Sequence, residues 1–162
     1  MGRSVSFTFS RVPIGTVADQ LQVLAEREYD EVGQKDLECL NVDWARYREL
    51  DAAGKLATFI AKRGSGQMGS IVGYAVFVVQ NHIHYQDALV AANSAVYVVP
   101  DARAGRVVLK LLRYAEIGLK GQGVKKVYYH VKREKDFGRL LEHLGYQDSE
   151  RMFAKVLGLE QD

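Results

Sequence analysis

Disulfide bonding is the first device the sequence lacks. Its 162 residues include a single cysteine, Cys39, so no internal disulfide can form and the chain suits a reducing compartment. Proline is almost as scarce, at two residues, and no low-complexity tract occurs, which argues against a disordered chain. No apolar run approaches the ~20 residues needed to span a bilayer. The longest, "YAVFVV" at 74–79, is strand-sized. The N-terminal "MGRSVSFTFS" has no apolar signal-peptide core. Gly2 and Ser6 meet the loose N-myristoylation pattern, but the chain from Phe7 onward alternates like a strand. Internal repeats and a compositional linker are also missing. These absences predict one cytoplasmic domain with no membrane partner.

What is present is an ordinary globular balance, 48% apolar and 26% charged residues. The net charge of +2 hides an asymmetry. Residues 1–100 carry 9 basic and 11 acidic side chains, whereas residues 103–139 carry 11 basic against three acidic, Glu116, Glu134 and Asp136. Such a local excess suits a polyanionic partner, although solvated helix faces also carry Lys and Arg. No aromatic-basic RNA motif accompanies the basic stretch, so nucleic acid is not the expected partner.

Periodicity gives the elements. Val5, Phe7 and Phe9 alternate with polar residues, predicting a strand over 4–11. Thr16 is positioned to cap a helix carrying Val17, Leu21, Leu24 and Ala25, whose later part, "EREYDEV", is acidic. Asp43 caps a second helix through Trp44, Tyr47 and Leu50, ended by Gly54. Strands are expected at 55–63 and 70–80, joined by the turn "GSGQMG". No helix follows those glycines, so they are not a phosphate loop. "NHIHYQD" at 81–87 is a turn, and 88–99 is a further strand. After Pro100 comes a helix with Val108, Leu111, Leu112, Ala115 and Leu119 on one face and a Glu116–Lys120 pair outside. A strand at 124–131, a helix at 134–144 and a hairpin or bent strand at 146–158 complete the chain. The order β-α-α-β-β-β-α-β-α-β predicts a single α/β domain, a mixed and mostly antiparallel sheet flanked by helices.

The run Val98-Val99-Pro100, then Arg103-Ala104-Gly105-Arg106-Val107-Val108, then Leu111-Leu112, resembles the phosphate turn of the GNAT superfamily of acyl-CoA-dependent N-acyltransferases. "HLGY" at 143–146 is similar to a second segment of that family. The run "HIHYQDALVAANSAVYVVPDARAG" with "LLEHLGY" is most similar to a group often encoded by phages and prophages. The resemblance implies acetyl-CoA as co-substrate, with its pyrophosphate at the turn formed by Arg103, Ala104, Gly105, Arg106, Val107 and Val108. There the first turn of a helix offers unpaired N–H groups and partial positive charge. It implies that the backbone of Val96, Tyr97 and Val98 faces pantetheine, laid in like an added strand. It also implies acceptor-side helices in 1–54 and an acyl-CoA-binding core in 55–162.

The pattern is broken in places. Arg106 and Val108 stand where the family has small residues, and Gly105 is one position out of register. Leu141 stands where the family's proton-donating tyrosine falls. Candidate catalytic residues are Asn93 and Ser94, which could order a water, and His84, which titrates near neutrality when unperturbed. His82-x-His84 has no third ligand nearby, so no metal is expected. Tyr129, Trp44 and Tyr47 read as packing residues, whereas Glu26, Glu28, Asp30 and Glu31 could receive a cationic amine or simply be a solvated face. Two functions follow. One is an N-acetyltransferase acting by direct attack on an amine of a small molecule or protein, with a homodimer compatible. The other is a weak or inactive protein of that fold that binds another protein, for a phage a host protein.

Overall fold

The computed structural model describes residues 5–64 and 69–158. Five strands form one sheet in chain order: β1 (Phe7–Arg11), β2 (Leu56–Arg63), β3 (Ser70–His82), β4 (Tyr85–Val98) and β5 (Lys126–Tyr128). The first four are antiparallel, and β5 joins β4 in parallel after a helical crossover. The helices are α1 (Ala18–Val32), α2 (Trp44–Ala52), α3 (Val107–Gly121) and α4 (Gly138–His143).

Strands β2 and β3 read as continuous apolar runs because both of their faces are covered. Ile60 sits opposite Tyr74, and the Tyr74 hydroxyl bonds Glu28 of α1. Phe59 sits opposite Ala75 on the other face, where its ring meets Tyr114 of α3 edge-on. Leu111, Leu112, Ala115 and Leu119 are buried on α3 as their spacing predicts, but the stripe begins at Val107 and not at the expected Val108, which is half-buried at the wall of a cavity.

Several expected boundaries move for physical reasons. Thr16 does not cap α1; its hydroxyl donates to Pro13 O at 2.6 Å within a 3-10 turn, and the helix starts at Ala18. Asp43 does cap α2, accepting from Arg46 N at 2.9 Å. The β3–β4 turn is tighter than 81–87, with His82 opposite Tyr85. The Glu116–Lys120 pair is not formed; Glu116 accepts instead from the Tyr146 hydroxyl at 2.8 Å. The final helix is shortened to α4, because a 3-10 turn occupies Arg133–Lys135 and Asp136 takes the Gly138 N–H. No strand forms over 146–158, where Met152, Phe153 and Leu157 are exposed. Adjacent apolar residues need cover on both faces of a strand, and no described element supplies it. The expected 64–69 turn and Gly2 fall wholly or largely outside the described residues.

Gly118 tests the packing of α3 on the sheet. A Cβ there would lie 2.7 Å from Phe59 Cε1, and Phe59 is fully buried against Phe77 and Tyr114. Alanine would gain about 1 kcal/mol of helix propensity, while overpacking costs about 1–3 kcal/mol. Because the ring is hemmed in on two sides, the clash prevails. Gly118→Ala is expected to lower the urea midpoint, with a net loss of about 1 kcal/mol; an unchanged or raised midpoint would show that Phe59 can yield.

Candidate active site

The site begins where two strands part. β5 pairs with β4 at only three positions, Val90 with Lys126, Ala91 with Val127 and Ala92 with Tyr128. The last link is a side chain. Asn93 donates Nδ2 to His130 O at 3.2 Å and its Oδ1 accepts from His130 N at 2.6 Å, imitating a strand partner. Beyond it β4 runs on to Val98 without a neighbour on that edge. Val99 N donates to Val72 O of β3 at 2.8 Å, so strand alternation turns the peptide groups of Val96 and Val98 toward the open side. Ser94 has no cross-strand partner: Val76 faces Ala95 and Phe77 faces Asn93, leaving Ser94 as the extra residue of a β-bulge.

Charge bridges the mouth of this fork. Arg103 donates Nε to Val98 O at 2.8 Å and its guanidinium pairs with Glu31 of α1 at 3.0 Å, above the Tyr97 ring. Glu31 also accepts from the Tyr97 hydroxyl at 2.8 Å and from Lys135. A second tie runs from Lys132 Nζ to Val32 O at 2.7 Å. Burial alone would raise the Glu31 pKa, but the hydrogen bonds from Lys135, Tyr97 and Arg103 outweigh it and hold the carboxyl at about 2. Burial and the Glu31 bond push the Tyr97 phenol up to about 12.

At the start of α3, a 3-10 turn (Pro100–Gly105) passes into Arg106, whose φ of 58° is left-handed. Non-glycine residues rarely adopt that conformation, so the backbone here keeps a glycine-like turn without the glycine. No side chain caps the helix; Val107 is fully buried, whereas Val108 is half-buried and lines the neighbouring cavity. Beside this turn lies a cavity of about 560 Å³ lined by Arg103, Ala104, Arg106, Val108, Leu109, Phe137, Leu140 and His143. No carboxylate is among these residues. Val108 narrows the cavity but does not fill it.

A second cavity, of about 370 Å³, lies on the α1–α2 side. It reaches from Trp44 and Tyr47 of α2, past Glu28 of α1, to Val76, Ser94 and Ala95 at the bulge. The hydroxyls of Tyr47 and Ser94 are hydrogen-bonded. Glu28 accepts from Tyr74 at 2.9 Å, and burial raises its pKa in spite of that bond and of nearby Lys132 and Lys135. Burial likewise pushes the Tyr74 phenol far up.

The expected site residues are thus partly gathered. Asn93, Ser94 and the peptides of Val96 and Val98 meet at the fork, and Ala104, Gly105, Arg106, Val107 and Val108 form the turn. Arg103 is at the turn but is engaged with Glu31. His84 sits at the tip of the β3–β4 hairpin, where its N–H donates to His82 Nδ1 at 3.1 Å, and it lines neither cavity. Leu141 is buried. Sequence reasoning read Tyr47 as a packing residue and gave no individual role to His143, Lys132 or Lys135. Glu28 and Glu31 did carry a signal, since their three-residue spacing puts both on one face of α1.

No protein-family model matches the sequence, and no curated protein matches it. Solved structures do match its architecture along nearly its whole length. A predicted acetyltransferase from Clostridium acetobutylicum, with acetyl-CoA, superposes with a TM-score of 0.68 at 13% identity, covering 94% of this chain and 97% of that one. The chain has the GNAT fold. An aminoglycoside N-acetyltransferase in complex with CoA gives 0.69 at 17% identity, with 98% and 99% covered. A ribosomal-protein-alanine N-acetyltransferase from Brucella melitensis biovar Abortus gives 0.68 at 14%, with 94% and 100% covered.

Glu31 has its folded pKa depressed, so its contribution is present above the ordinary value near 4.5 and is lost as pH falls toward about 2. Allowing for solvent screening of a pair about one-third exposed, the contribution is about 1–2 kcal/mol. Glu31→Gln is expected to lower stability by that amount at pH 7 and to converge with the parent chain near pH 2, as measured by urea unfolding across pH. A constant offset at every pH would remove the ionic explanation.

Proposed function

We propose that the chain is an acetyl-CoA-dependent N-acyltransferase, transferring acetyl to an amine by direct attack with both substrates bound. The observation that carries this reading is the fork: β4 leaves β5 after Ala92 and opens an edge between two cavities, one cationic and one holding a carboxyl. Further support comes from structures of the same fold that contain acetyl-CoA or CoA. Two of the matching structures are named for amine-bearing acceptors, aminoglycosides and a ribosomal-protein alanine.

Acetyl-CoA would supply the activated thioester. In this reading Arg106, His143 and the N–H groups of α3 at the cavity wall, such as that of Val108, receive the pyrophosphate, with Ala104 and Gly105 lining its approach and Val107 packed beneath the turn. The peptides of Val96 and Val98 bond pantetheine along the open edge, Val98 once Arg103 has released it; the Tyr97 side chain remains on α1. The bulge leaves the Ser94 peptide free to stabilise a developing oxyanion. The Ser94 and Tyr47 hydroxyls can pass a proton on the amine side. Asn93 holds the fork at its fixed opening, and His84 has no part. Residues 1–54 then form the acceptor side and 55–162 the acyl-CoA core. Likeness to phage-encoded proteins supports a bacterial host cytoplasm as the place of action.

One observation favours the second reading, a binding protein without turnover. Arg103, the turn's entry arginine, is committed to Glu31 and Val98 O. Calorimetric titration with acetyl-CoA separates the two. The enzyme reading expects a dissociation constant of about 1–100 µM, weakened tenfold or more by Arg106→Glu. No heat at millimolar acetyl-CoA would overturn it.

A further inference from the structure

The cavity between α1, α2 and the bulge has a lining that restricts what it can hold. Its walls are aromatic and aliphatic: Trp44, Tyr47, Tyr74, Leu21, Leu40 and Val76. Its charged side chains are Glu28, Glu38 and Lys132, and Lys132 is turned to the backbone oxygen of Val32 rather than to a carboxylate. Glu28 is half-buried, accepts one hydrogen bond, from Tyr74, and has no ion-pair partner among the described residues. Glu31, the next acid on the same helix face, is already occupied by Arg103 and Lys135.

A half-buried carboxyl without a cation is costly unless it is neutralised or paired. A ligand ammonium group would supply the pair. The rest of such a ligand must suit apolar walls, and a volume of about 370 Å³ is near the lower end for small-molecule sites. We infer that the cavity selects a small monoamine with an aryl or alkyl body, its ammonium held by Glu28 and its body against Trp44 and Tyr47. This rests on the acceptor-side reading above and deepens it. A polycation is disfavoured, because beyond Glu28 the walls offer it one further carboxylate and the positive Lys132. Geometry suits the chemistry too, since the cavity reaches from Glu28 to Ser94 at the bulge.

The sole tryptophan of the chain lines this cavity, so fluorescence excited selectively at tryptophan, beyond the absorption of the tyrosines, reports on it. Three probes are titrated: phenethylamine, its uncharged analogue 2-phenylethanol, and spermine. Phenethylamine is expected to give a saturable change below about 10 mM, with the alcohol and spermine each at least tenfold weaker. Glu28→Gln, which keeps an acceptor for Tyr74, is expected to weaken phenethylamine about tenfold and leave the alcohol unchanged; Glu28→Asp should recover part of the loss. If Glu28→Gln does not fold, the amine–alcohol comparison on the parent chain still decides. Equal affinity for amine and alcohol, tighter binding of spermine, or no saturable change would overturn the inference. None of these readouts uses acetyl-CoA, so failure here is distinct from failure of the calorimetric test.

Discussion

Strand β4 has fourteen residues and its parallel neighbour β5 has three. That mismatch is the constraint on which the rest of the molecule depends. A strand edge exposes unpaired peptide groups, and proteins normally cover or blunt it. Here one side chain, Asn93, fixes where the pairing stops, and the edge beyond it becomes the floor of a cleft. The other elements are arranged around that floor: α3 begins at one end of it, the bulge at Ser94 marks the other, and α1 passes along its flank.

Much of this architecture was legible because the apolar periods are clean. The stripe from Leu111 to Leu119 specifies α3, although its first member is Val107 and not Val108, and the apolar runs of β2 and β3 announce strands. Asp43 and Gly54 punctuate α2 as capping chemistry requires. Thr16 misled because a short hydroxyl side chain serves a 3-10 turn as readily as a helix cap. The segment at 146–158 misled because β propensity does not make a strand where nothing lies alongside to pair with it.

The site was less legible, and the reason is distance along the chain. Arg103 has the residue type expected of a phosphate contact, but its partner Glu31 lies 72 positions away, and no spacing rule links them. Tyr47 and Ser94 meet across 47 positions in the same way. Conversely, Arg106 looked like a departure from a glycine-dependent turn. Its backbone nevertheless takes the left-handed shape that favours glycine, held there by the surrounding fold and not by the residue.

Glu28 and Glu31 lie one turn apart on α1, yet they face different chambers: Glu28 the α1–α2 cavity, Glu31 the mouth of the cleft. Losing Arg103 alone would not free that end of α1, because Glu31 keeps Tyr97 and Lys135, and Lys132 holds Val32 O. Tyr97 lies on β4, and the two lysines follow β5. The last turn of α1 is thus a clasp that both arms of the fork grip, and it fixes their separation from outside the sheet.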